Sequence, residues 1–175
     1  MIRRLIAVNV CTSTIKEVSE SIGNKLYEEE AKLSKSIGHF VLDEEIDPKT
    51  YENRAYLQID GAMIHHLKEW KENKLGLMFF ENDITHHGDG ENARVSIKKK
   101  TLVSSFAQGV DEFKIRLRYW LTKSHIYLAK EIIVISDGAV WIENLVNELI
   151  PKCKHILDWF HVKEKLWECA KKNIW

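Results

Sequence analysis

The sequence predicts an α/β fold with a mixed sheet, a three-strand meander followed by alternating helices and strands, behind an N-terminal helical segment. Three observations carry that expectation. Residues 13–38 repeat apolar side chains at helical spacing, residues 54–103 change to strand-like runs, and from residue 107 onward helical periods and short apolar runs take turns. The chain has 175 residues and 45% apolar content, enough for one domain with a bulky core that draws on six Trp.

The first element is an amphipathic helix over 13–38. Thr14 followed by Glu17 reads as a capping box, and Ile15, Val18, Ile22, Leu26, Leu33 and Ile37 form a stripe near heptad spacing, with Gly38 as C-cap. Residues 39–53, rich in acids and containing Asp47-Pro48, read as a linker. Three strands follow: Ala55–Asp60, Leu75–Phe80, and Ala93–Ile97 running on towards Val103, with Gly88 and Gly90 marking the turn before the last. Val110, Phe113, Leu117 and Leu121 place one face of a helix over 107–123. Glu131–Ser136 carries the continuous apolar run Ile132-Ile133-Val134-Ile135, as in a parallel strand buried on both faces. A helix over 140–149, a short strand at His155–Leu157 and a helix from about Val162 complete the chain. Strand, strand, strand, helix, strand, helix, strand, helix is the element order of an RNase H-like mixed sheet.

Charge and cysteine content narrow the function. Lys plus Arg and Asp plus Glu number 26 each, so binding to DNA by bulk charge alone is excluded and basic residues would have to gather on one face. Cys11, Cys153 and Cys169 are odd in number and far apart, which fits neither a disulfide framework nor a zinc site and suits a reducing compartment. The opening MIRRLIAVNV is too short an apolar run for a signal peptide or a membrane span, and a cytoplasmic location is expected.

The most informative phrase occurs twice. Leu57-Gln58-Ile59-Asp60-Gly61-Ala62 and Val134-Ile135-Ser136-Asp137-Gly138-Ala139 both end an apolar strand with Asp-Gly-Ala. If those strands lie parallel and adjacent, Asp60 and Asp137 meet at the carboxyl end of the sheet, where ligands bind in open α/β folds. Two carboxylates at one place repel unless cations neutralise them. A pair of divalent ions about 3.5–4 Å apart does so and clamps both oxygens of a phosphodiester displacement, and hard oxygen ligands favour Mg²⁺ or Mn²⁺ over zinc. The bland alternative is that Asp-Gly is only a turn signal. A second constellation, Ile156-Leu157-Asp158-Trp159-Phe160-His161, puts an acid and an imidazole three residues apart on a first helical turn. There the bland alternative is an N-cap beside a polar residue on a Trp-rich face.

The stretch Asp137-Gly138-Ala139-Val140-Trp141-Ile142, followed by Ile156-Leu157-Asp158-Trp159-Phe160-His161-Val162-Lys163-Glu164-Lys165-Leu166-Trp167, resembles the second half of a bacterial insertion-sequence transposase core. It is most similar to the ISKra and ISLre types, relatives of the Mutator-like transposases in the DDE/D superfamily, which carry a DG-x-x-WI motif and then a (C/D)-x-x-H motif. The resemblance covers about residues 54–175 and is specific in the last forty. Residues 1–53 would hold part of a helical DNA-binding region, and 54–175 a catalytic core incomplete at its C-terminal side.

The resemblance implies that Asp60 and Asp137 are two members of a metal-binding acidic triad and that Asp158 and His161 are accessory catalytic residues. Mg²⁺ or Mn²⁺ would be the cofactor. Insertion-sequence ends and target DNA would be the partners, and the full-length protein would be a homo-oligomer with no membrane association. The family's third acid, a Glu on a later helix, is expected beyond Trp175, since none of Glu143, Glu148, Glu164 and Glu168 lies where the pattern asks for it. Trp141 and Trp159 match motif positions but suit packing. Lys98-Lys99-Lys100, then Lys114, Arg116 and Arg118, then Lys163, Lys165, Lys171 and Lys172 are candidate DNA contacts. The pairs His65-His66 and His86-His87 cannot chelate, because adjacent strand residues face opposite ways. The competing function is a non-catalytic truncated remnant that binds DNA or transposase subunits without cutting. A phosphatase of the haloacid-dehalogenase kind is set aside, because it needs an acid two residues after its Asp, and positions 62 and 139 are Ala.

Overall fold

The computed structural model describes residues 11–36, 53–90 and 93–172, and the chain divides into two compact units, Met1–Phe40 and Val41–Trp175. In the first unit, α1 (Thr12–Lys35) begins one residue before the expected start and ends at Ser36. The capping box does not form. Cys11 is the N-cap, and the Thr14 hydroxyl contacts the Cys11 Sγ at 3.0 Å instead of a backbone N–H. Hydroxyls of Ser13 and Thr14 lower the Cys11 thiol to about 7. The expected C-cap Gly38 and linker 39–52 lie outside the described residues.

The second unit is a mixed α/β arrangement on a five-stranded sheet. Its strands are β1 (Arg54–His66), β2 (Glu69–Phe80), β5 (Thr101–Phe106), β6 (Glu131–Ser136) and β7 (Lys154–Leu157). The spatial order is β5-β2-β1-β6-β7. β1–β2 and β2–β5 pair antiparallel, while β1–β6 and β6–β7 pair parallel. Between β2 and β5 a separate hairpin forms from β3 (Ile84–His87) and β4 (Arg94–Ile97).

That hairpin corrects the expected strand from Ala93 towards Val103. Lys98, Lys99 and Lys100 interrupt it, because a strand through three lysines would aim at least one ammonium at the apolar face. The Lys98 N–H instead donates to the Asp83 carbonyl at 2.8 Å and closes the hairpin. Gly88 and Gly90 do mark a turn, but the one between β3 and β4.

Helices α2 (Val110–Lys123) and α3 (Val140–Leu149) cover one face of the sheet. The core there joins Leu57, Ile59, Val103 and Val134 to Phe113, Leu117 and Leu121 of α2 and Ile142 and Val146 of α3, all essentially inaccessible. Burying each such side chain contributes roughly 1.5–3 kcal/mol. The opposite face is less covered. In β6 only Val134 and Ser136 are buried and Ile133 and Ile135 are half-buried, so the strand is not enclosed on both sides as its apolar run predicts. The last helix, α4 (Trp159–Lys172), starts three residues before the expected Val162 and has no buried residue. No helix among the described residues is long and apolar enough to cross a membrane.

Candidate metal centre

The two Asp-Gly-Ala phrases fold differently, and the difference brings their carboxylates together. β1 does not stop at Asp60. Its pairing with β2 runs on through Gly61↔Lys74 to His66↔Glu69, whereas its parallel pairing with β6 ends at Ile59↔Ser136. Asp60 therefore sits where one neighbour continues and the other has left. β6 has no continuing partner, so Asp137 and Gly138 turn out of the sheet into α3. Gly138 takes φ +81° there, and a Cβ at that position would lie 2.8 Å from a Leu157 methyl. At Gly61 a Cβ would meet only the far end of the Glu72 side chain, at 2.7 Å, with Trp141 at 3.4 Å.

Each carboxylate has one oxygen tied by nearby backbone. Asp60 Oδ1 accepts the Gly61 N–H at 2.8 Å, and Asp137 Oδ1 accepts the Ala139 N–H at 2.9 Å. His161, from the first turn of α4, joins them, so that one ligand atom from each of Asp60, Asp137 and His161 lies within 4.8 Å of the others. Among the described residues this is the one group of three or more His, Cys, Asp or Glu side chains so arranged. Two carboxylate oxygens and an imidazole nitrogen, with no lysine or arginine from the described residues paired to either acid, form a donor set that fits a divalent cation.

Asp158 does not join that group. Its Oδ1 accepts the Phe160 N–H at 3.1 Å as the cap of α4, and its Oδ2 lies 3.2 Å from His161 Nδ1. Both the bland expectation of an N-cap and the expectation of an acid beside an imidazole describe what this residue does. Residues that sequence reasoning passes over hold the arrangement in place. Ser136, buried, accepts the Asp158 N–H at its carbonyl (2.7 Å), places its hydroxyl 2.8 Å from His155 Nε2, and receives the Gly138 N–H at that hydroxyl (3.3 Å). Its signal in the chain is a single polar residue closing an otherwise apolar strand.

Lys74 also escapes a reading of the sequence. It is buried, paired with Glu72 at 2.5 Å, bonded to the Gln108 carbonyl at 3.1 Å, and 5.6 Å from the Trp141 ring. Trp141 packs as expected, edge-on to Phe113, but Trp159 is 71% exposed and does not.

The basic clusters separate. Arg116 is buried and donates to the Ser104 carbonyl at 3.0 Å, so it ties α2 to the sheet and is withdrawn as a DNA contact. Lys114 and Arg118 both pair with Glu148, and the Glu148 carboxylate raises the Lys114 ammonium above its ordinary value. Lys98, Lys99 and Lys100 lie on the connection to β5 and not on a strand. Lys163, Lys165, Lys171 and Lys172 are on exposed positions or edges of α4. Of the glutamates weighed as a third acid, Glu148 and Glu168 are engaged in ion pairs, and none of the four is in the Asp60–Asp137–His161 group.

His65 stacks edge-on to Trp70 and His66 to Phe106, each on its own side of the strand. Cys11, Cys153 and Cys169 form no disulfide, and burial pushes the Cys153 thiol up. No protein-family model, no curated protein and no solved structure matches the chain.

Proposed function

We propose that residues 54–175 are an RNase H-like core of a metal-dependent DNA transposase of the insertion-sequence type, in which Asp60 and Asp137 hold the catalytic cation. The observation that carries this is the meeting of two carboxylates from adjacent parallel strands with the imidazole of an Asp-x-x-His turn. The strand order β5-β2-β1-β6-β7, with a meander on one side and crossovers on the other, supports the fold assignment. The motif residues Asp137, Trp141, Asp158 and His161 support the branch.

Mg²⁺ or Mn²⁺, when bound, would polarise the scissile phosphate and lower the pKa of the attacking water or 3′-hydroxyl. The chain's own residues do the rest. Asp60 and Asp137 each keep one oxygen on a backbone N–H, which restrains the rotation of each carboxylate beside the shared space. Gly138 lets the chain turn away, so that a phosphate backbone can approach the strand ends. Lys163, Lys165, Lys171 and Lys172 offer phosphate contacts along α4, each of modest worth at physiological salt. Cleavage of element ends with water and then joining of the freed 3′-hydroxyl to target DNA would use the same two carboxylates, in a homo-oligomer that brings two ends together.

The test is nicking of a supercoiled plasmid in Mg²⁺ or Mn²⁺ by a protein that includes the expected third acid. Asp137→Asn is expected to reduce the rate by about 10³-fold or more, since the cation's stabilisation of the transition state is worth several kcal/mol, while DNA binding in a mobility-shift assay is unchanged. Nicking retained by Asp137→Asn overturns the assignment. DNA bound but not cut even by a protein that includes the expected third acid favours the non-catalytic alternative.

A further inference from the structure

The geometry points to His161 as a third ligand, through Nε2, to the cation held by Asp60 and Asp137, with Asp158 as its positioning residue, and to a site that selects a first-row transition ion such as Mn²⁺ over Mg²⁺. This rests on the site being a divalent-cation centre. The sequence places His161 only in an accessory motif, and the resemblance assigns the cation to acids.

Four observations support it. The first is distance, because a nitrogen of His161 lies within 4.8 Å of both carboxylates, the separation of atoms able to share one ion. The second is the pairing of His161 Nδ1 with Asp158 Oδ2 at 3.2 Å. A proton on Nδ1 facing that carboxylate leaves the lone pair on Nε2, which is the carboxylate–histidine–metal arrangement of ligating imidazoles.

The third is that Asp158 is itself immobilised, since its other oxygen caps α4 and its backbone N–H is bonded to Ser136. The orienting group is thus tied to the same strand that ends in Asp137. The fourth is accessibility. The His161 side chain is 33% exposed, so the ring is constrained and still reachable.

Selectivity follows from the donor set. Mg²⁺ seeks six oxygens in near-ideal octahedral geometry and sheds water reluctantly, whereas imidazole binds first-row ions well and affinity rises from Mn²⁺ to Co²⁺. A site of two carboxylates and one imidazole therefore penalises Mg²⁺ relative to a site of three carboxylates.

The experiment is Mn²⁺ binding to the purified chain by electron paramagnetic resonance, with Mg²⁺ as competitor. Mg²⁺ is expected to displace Mn²⁺ only at an excess of about tenfold or more, and the pulsed spectrum should carry coupling from one directly bonded nitrogen. His161→Ala and His161→Gln should each weaken Mn²⁺ by about 10–100-fold, the range seen when groups around a metal are removed, and abolish the nitrogen coupling. Mg²⁺ affinity should fall by less. Asp158→Asn keeps a good helix cap but removes the charge facing Nδ1. It should weaken Mn²⁺ while retaining the coupling, a signature that a merely structural role would not produce.

Absence of nitrogen coupling in the unaltered chain overturns the inference even if a variant fails to fold. So does unaltered Mn²⁺ affinity in His161→Ala. If in either case Asp60→Asn and Asp137→Asn still abolish binding, the cation centre itself stands. No Mn²⁺ binding at all, or binding indifferent to both Asp substitutions, overturns the cation centre and this inference together.

Discussion

The two ends of the β1–β6 strand pair meet charge in opposite ways. At the amino end, Arg54 bonds Glu81 at 3.3 Å and Glu131 at 3.0 Å, and Lys154 bonds Glu131 at 3.2 Å. Two cations face two acids and the group is complete. At the carboxyl end, Asp60 and Asp137 converge, and among the described residues backbone N–H groups and an imidazole are what answer them. Like charges at about 5 Å cost ~1 kcal/mol even when screened as in bulk water. In the proposed function, a cation at the second end would supply the neutralisation that side chains give the first.

The largest effect belongs to cation binding. Asp60→Asn with Asp137→Asn should remove it entirely in calorimetric titration with Mn²⁺, whereas Glu131→Gln at the other end should leave it unchanged. A loss in Glu131→Gln would mean that the two ends are not independent.

Next comes the turn that frees Asp137. Gly138→Ala imposes a Cβ at positive φ and against Leu157, and should destabilise the chain by about 1–2 kcal/mol in urea unfolding. Gly61→Ala displaces only the movable end of Glu72 and should cost less.

Smaller still is the cost of the unneutralised acids. In the absence of divalent ions, Asp137→Asn should raise stability by up to ~1 kcal/mol through relief of repulsion.

The smallest effect is the pH dependence of the amino end. Hydrogen bonding and charge from Lys154, then the charge of Arg54, hold the Glu131 carboxyl below its ordinary value. A depressed carboxyl contributes stability above its unfolded pKa and loses it as pH falls through the folded value. Glu131→Gln should therefore lie slightly below the unaltered chain at pH 7 and converge with it in acid, as read by urea midpoints.

Much of the carboxyl end is legible in the sequence, and for physical reasons. β6 and α3 have the expected bounds, Glu131–Ser136 and 140–149, because an apolar run and a helical period meet abruptly at Asp137-Gly138. Asp60 and Asp137 can be paired from the chain alone because strand, Asp and Gly repeat in the same order. The extension of β1 to His66 is hidden there, since Met63 to His66 are exposed and continue the strand by pairing with β2 instead of by burial. The β3–β4 hairpin is hidden likewise, because its face is not buried enough to impose alternation.

His161 shows the limit most clearly. Spacing places it beside Asp158, but its approach to Asp60, about a hundred residues earlier, depends on β7 lying next to β6 and on Ser136 holding the start of α4. The ion pairs of the amino end, between residues 54, 81, 131 and 154, have no local pattern at all.

The most direct test of the central claim is the melting temperature with and without Mn²⁺. At a hundredfold excess over Kd, binding to the folded state should add about 2.7 kcal/mol, a rise of roughly 5–15 °C, that vanishes in Asp60→Asn with Asp137→Asn and persists in Glu131→Gln. An equal rise in the double Asp variant, or none in the unaltered chain, would contradict the account.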